Sequence, residues 1–188
     1  QPNTLFPYTT LFRSWGEPLL THNFVGCPGL TWTLLLLRKL TGIAPLALIC
    51  YLCAVSGLIY LLAGAGLVQR LTRLPFPLAG MVVLLSPVAI IAGAYGNDMV
   101  TSSALAILAM YFFAGRITPI TLFAGAVSLG LAGLFRADAV LITPAIPFLL
   151  YRGDLGKTLR QVILAGLVSA TVAIGLVYLC GSNVAAIV

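Results

Sequence analysis

Charge is what this chain has least of. Only 7% of its 188 residues are Asp, Glu, Lys or Arg, where a soluble domain carries about a quarter. The missing polar face excludes a water-soluble fold, because 61% of the residues are apolar and nothing remains to cover them. With a mean hydropathy of +1.11, lipid is the expected solvent. The net charge of +6 does not imply nucleic acid, since the basic residues stand in short loops between apolar runs without interleaved aromatics.

Other absences remove tempting motifs. Gly153 to Thr158 reads GDLGKT, the end of a phosphate-binding loop. The full pattern needs glycine where Tyr151 stands, and no strand precedes it, so a plain cytoplasmic turn is expected. Cys50 and Cys53 form a C-x-x-C inside an apolar run with no further ligands beside them, so they read as small buried hydrophobes. Nothing in the sequence brings Cys27 within disulfide reach of Cys180.

The first fourteen residues stand apart. Leu5 to Ser14, LFPYTTLFRS, back-translate into a string that resembles a widely used sequencing-library adapter read in frame. Residues 1–14 are therefore expected to be an artefact that packs against nothing, and 15–188 to be part of a membrane domain cut at its start and near its end.

Apolar runs of roughly 20 residues match a hydrocarbon core of about 30 Å. Those here predict an all-α, polytopic transmembrane bundle of about six spans. A short amphipathic lead-in at Leu30 to Leu37 precedes spans near 43–69, 76–95, 98–114, 118–135, 138–151 and 161–180. The fifth contains Pro144 and Pro147, so a kinked or partly re-entrant segment is as plausible as a straight span. Gly125, Ala126, Gly130 and Gly133 on the fourth predict close helix packing.

Loop charges predict the orientation. Arg70, Arg73, Arg116, Arg152, Lys157 and Arg160 fall on one side, which the positive-inside rule makes cytoplasmic. The other side holds Glu17, Asp98 and Asp138, with Arg136 and the lead-in's Arg38 and Lys39 as its basic residues. On that outer side Asn97 suits a helix N-cap and Asp98 the positive helix end. Asp98, Thr101 and Ser102 are expected to share one face of the third span. Arg136 and Asp138 lie two apart and do not face each other on a helix, which leaves the arginine available for a phosphate at headgroup level. Its snorkelling to the interface is the plainer alternative. His22 and Asn23 add a weaker polar signal in the preceding loop.

The order of these elements is familiar: Pro28-Gly29 leads into a helix ending Lys39-Leu40-Thr41-Gly42, Asn97-Asp98 opens a span, and Gly130-Leu131-Ala132-Gly133-Leu134-Phe135-Arg136 follows. The chain resembles, over roughly Trp15 to Val188, the polytopic glycosyltransferases of the GT-C superfamily, such as dolichyl-phosphate-mannose protein mannosyltransferases and bacterial aminoarabinose transferases. That resemblance implies transfer of a sugar from a polyprenyl-phosphate carrier to an acceptor on the outer face of a bacterial plasma membrane. The implied partners are the lipid-linked sugar donor and membrane lipid, with no nucleic acid. Asp98 matches the acidic residue opening a span beside the family's active site, and Arg136 the basic residue after the Gly-Leu run. Asp138, Asn97, Thr101 and His22 are the further candidates for substrate binding. The loop from His22 to Gly29 matches the region that in some members binds a divalent metal and the carrier phosphate, although Gly26-Cys27-Pro28 stands where those members carry a charged residue before Pro-Pro. The family's principal carboxylate belongs to a first outer loop upstream of this region, so the fragment is expected to be inactive alone. The alternative is a secondary transporter or a lipid-linked-sugar flippase. Transporters favour ionisable groups near the bilayer midplane, where this chain is expected to have none.

Overall fold

A computed structural model describes residues 29–86 and 98–187, and among these every regular element is helical. Chain order gives α1 (Gly29–Thr41), α2 (Pro45–Thr72), α3 (Phe76–Leu84), α4 (Asp98–Ala114) and α5 (Pro119–Phe135). A 3-10 segment (Ala137–Ala145), α6 (Ile146–Leu150) and α7 (Leu155–Ile187) follow. The expected adapter segment, His22 and Asn97 lie outside the described residues.

Proline sets where several helices begin, because it supplies the helical φ and needs no intrahelical N–H bond. It stands in the first turn of α2, α3, α5 and α6. At α5, Thr118 and Thr121 close a reciprocal capping box, the Thr121 N–H donating to the Thr118 hydroxyl at 3.2 Å and the Thr118 N–H to the Thr121 hydroxyl at 2.8 Å. At α7, Asp154 accepts the Lys157 N–H at 3.1 Å. GDLGKT is thus a turn that starts a helix, with Gly153 at a φ of 91°.

Neighbours pack in the row α3, α2, α4, α5, α7, and α1 touches both α2 and α5. Ser56, toward the middle of α2, meets Thr101 near the start of α4, and Arg70 meets Tyr111 near the ends of both, so these helices run parallel. α5 returns antiparallel, with Ser102 at Ala132 and Gly125 against the Phe113 ring. α7 runs parallel to α5, the Ser169 hydroxyl donating to the Ala126 carbonyl at 2.7 Å. Small residues permit that approach: a methyl group on Gly130 would lie 2.6 Å from the Ser169 carbonyl oxygen, whereas Gly133 meets nothing within 4 Å. Close packing on the expected span thus rests on Gly125 and Gly130.

Two helical stretches, Ala47–Thr72 and Leu155–Tyr178, are long and apolar enough to cross a membrane. Large apolar side chains such as Leu58, Leu62, Leu167 and Ile174 are exposed on them, which supports a membrane protein. Of the other expected spans, 98–114 and 118–135 are α4 and α5 nearly to the residue, while 76–95 extends past the described residues. α4 and α5 have 17 residues each, about 26 Å at 1.5 Å per residue, the lower limit of a spanning helix. α3 stops at Leu84 in a turn through Leu85 and Ser86, just before Pro87, a residue type that disfavours helix in its predecessor. The run at 138–151 is broken into the 3-10 segment and the five-residue α6, with Pro144 inside the former. The C-x-x-C pair is not interior as expected: Cys50 is exposed and Cys53 half-buried, while Ser56, Ala63 and Ala65 occupy the inward side of α2.

Candidate functional site

The basic loops converge at one end of the bundle. Arg70 lies over the Tyr111 ring at 3.7 Å and donates to the Tyr111 carbonyl at 2.6 Å. Arg152 donates to the carbonyls of Ala114 and Gly115 at 3.2 and 3.1 Å, and to those of Leu149 and Tyr151 at 2.8 and 2.9 Å. Both arginines therefore supply donors to the carbonyls that the end of α4 leaves without intrahelical partners.

Arg136 stands at the opposite end. It ends α5 in an extended conformation, and its N–H donates to the Ala132 carbonyl at 3.0 Å. The Ser102 hydroxyl donates to the same carbonyl at 3.1 Å, tying the second turn of α4 to the last turn of α5. That tie sets α4 beside the 3-10 segment, with a cavity of about 150 Å³ between them. Met99, Ser102, Ser103 and Ala106 line it from α4, and Arg136, Ala139 and Ile142 from the other side. Ser102, Ser103 and Arg136 give the lining its polar groups, and Met99, Ala106, Ala139 and Ile142 make the rest apolar.

Of the residues expected to form a site, the structure brings Arg136 to this cavity. Asp98 opens α4 one position before the lining residue Met99, so the start of that helix and Arg136 share one end of the bundle. Asp138 lies in the 3-10 segment. Thr101 is not among the lining residues. It is buried and shares a hydroxyl hydrogen bond of 3.1 Å with Ser56 of α2. Thr101 and Ser102 therefore do not point the same way, because adjacent helix positions diverge by about 100° and two different neighbours take them. Sequence reasoning missed Met99, Ser103 and Ala106. Positions 99, 102, 103 and 106 form an i, i+3, i+4, i+7 stripe, and anchoring it on Arg136 would have found them.

Among the described residues no three His, Cys, Asp or Glu side chains gather where they could hold a metal ion, and residues 22–28 of the loop that carries the metal expectation lie outside them. Among the described residues one carboxyl is shifted, and it lies at the basic end. The Lys157 N–H, with help from its ammonium group 3.3 Å away, holds the Asp154 carboxyl below its ordinary range. Comparison with protein-family models, curated proteins and solved structures finds no match to this chain.

Proposed function

We propose that the chain is part of a multi-pass glycosyltransferase of the bacterial plasma membrane, moving a sugar from a polyprenyl-phosphate carrier to an acceptor at the outer face. In that reading the helices α2 to α7, including the short and broken ones, lie within about six membrane passages, with Arg70, Arg116 and Arg152 on the cytoplasmic side. The observation that carries it is the position of Arg136, a cation beside serine hydroxyls in a cavity at the end opposite those arginines.

The chemistry needs such a group. A carboxylate takes the proton of the acceptor hydroxyl, the oxygen bonds to the anomeric carbon, and the carbon–oxygen bond to the carrier breaks with its electron pair left on the phosphate. A guanidinium set at that phosphate offers planar, multiple N–H donors where negative charge develops. Asp98 acts in support, and the principal base belongs to a segment other than the described residues.

Binding of undecaprenyl phosphate to the protein in proteoliposomes tests this reading. Arg136→Ala should weaken binding about tenfold to hundredfold, the equivalent of a lost charge-assisted contact of roughly 1.5 to 3 kcal/mol. Arg152→Ala should leave it unchanged. Wild-type affinity in Arg136→Ala would remove the site. One feature favours a flippase or transporter instead: the broken segment Ala137–Ala145 beside the cavity, since transporters bind substrates at interrupted helices. Transbilayer movement of a fluorescent lipid-linked sugar by these proteoliposomes would select that second reading.

A further inference from the structure

Two adjacent serines on α4 have different fates. Ser102 is buried and committed to the Ala132 carbonyl. Ser103 is half-buried, lines the cavity beside Arg136, and has no hydrogen-bond partner among the described residues. That is unusual inside a helix, where Ser and Thr commonly donate to the carbonyl four residues back. In this same chain Thr33, Thr72, Ser128 and Thr171 all do so at 2.7 to 2.8 Å. The Ser103 hydroxyl instead offers its donor to whatever occupies the cavity.

The size and lining of the cavity narrow the occupant. At about 150 Å³ it falls below the roughly 300 to 1,000 Å³ of sites that enclose whole ligands, so it suits a headgroup and the first carbons of a chain. A guanidinium and a hydroxyl suit an anion, and the side chains of Met99, Ala106, Ala139 and Ile142 suit hydrocarbon.

We infer that Ser103 is a second direct contact to the carrier phosphate, donating its hydroxyl to a phosphate oxygen alongside Arg136, while Ser102 is a positioning residue that holds α4 against α5. This rests on the phosphate-binding reading of the cavity proposed above. Among the described residues the Ser103 hydroxyl has no bond to give up on reaching a charged phosphate oxygen, so its loss is felt in binding and not in folding.

The test compares undecaprenyl phosphate with undecaprenol, which lacks the anion, on proteoliposomes of four variants. Ser103→Ala should weaken undecaprenyl phosphate binding about threefold to tenfold, leave undecaprenol unchanged, and keep the wild-type thermal midpoint. Ser103→Thr, which restores a hydroxyl, should recover most of the affinity. Ser102→Ala should lower the thermal midpoint, because a buried carbonyl contact between two helices is lost. Weak binding in Arg136→Ala beside normal binding in Ser103→Ala would overturn the Ser103 contact and leave the phosphate site standing. Normal binding in both would remove the site as well. An equal loss for undecaprenol would make Ser103 a packing residue and overturn the inference. Should Ser103→Ala fold poorly, the nearly isosteric Ser103→Cys replaces it, with the same loss expected and wild-type affinity counting against the contact.

Discussion

The two halves of this bundle, inner at the basic end and outer at the Arg136 end in the orientation proposed above, differ in how they are packed around their arginines. The inner half packs Phe113, Leu129, Ile146 and Leu150 with Ala109, Ala126 and Ala165, and its arginines are tied to backbone carbonyls. The outer half packs Ala106, Ala132 and Ala139 against Leu105 and Ile142, buries Leu134 and Phe135 in the last turn of α5, and holds the cavity of Arg136 beside the alanines. Alanines where α4 meets the 3-10 segment leave a space that the larger side chains around them hold open, because interiors tolerate little collapse. The difference teaches that the cavity is a product of local composition: the basic end joins its elements through one continuous cluster, and space is left at the other end, where the proposed ligand would arrive.

Three substitutions test that division. Phe113→Ala, in the inner core, should lower stability by about 3 kcal/mol or more, the cost of truncating a buried Phe. In a detergent-solubilised thermal melt this should be the largest loss of the set. A small change there would mean the inner half is not the anchor. Ala106→Leu, in the outer half, should do the reverse. The added methyl groups fill the cavity, so undecaprenyl phosphate binding falls tenfold or more while the thermal midpoint holds or rises. Retained binding with a lowered midpoint would show that this space is not where the lipid sits.

The smallest effect belongs to the cap of α7. The Asp154 carboxyl is held below its unfolded range, so its contribution is present above the ordinary carboxylate pKa of about 4 and fades as pH falls through the lower folded value. Being exposed to solvent, it contributes little. Asp154→Asn keeps an acceptor for the Lys157 N–H and removes the charge, so the melting midpoint should lose part of its dependence on pH below about 5. An unaltered acid profile would show that the cap stabilises without its charge.

Much of the architecture was legible from the residues. The apolar runs announced the helices at 98–114 and 118–135 nearly to the residue, and the arginine loops announced which ends would meet, because both are local or additive signals. The broken stretch was less legible. An apolar run does not reveal that Pro144 and Pro147 turn one stretch into a 3-10 segment and a single short helix, since the outcome depends on which neighbours satisfy the freed carbonyls. Of the cavity lining, Arg136 stood out in the sequence as an abrupt charge after an apolar run, but Ser103 did not, because what marks it is the lack of a hydrogen-bond partner among the described residues. Thr101 misled for the same reason in reverse: periodicity placed it beside Ser102, and only the position of Ser56 on α2 shows where its hydroxyl goes.

The shared carbonyl of Ala132 offers a way to watch this site from within the backbone. It accepts both the Arg136 N–H and the Ser102 hydroxyl, and a carbonyl with two donors vibrates at lower frequency than its singly bonded neighbours. Isotopic labelling of that one carbonyl would separate its amide band from the rest of the helix. A ligand that draws Arg136 or α4 away would shift the band upward, so an infrared difference spectrum would register occupancy with no dye, mutation or assay of turnover.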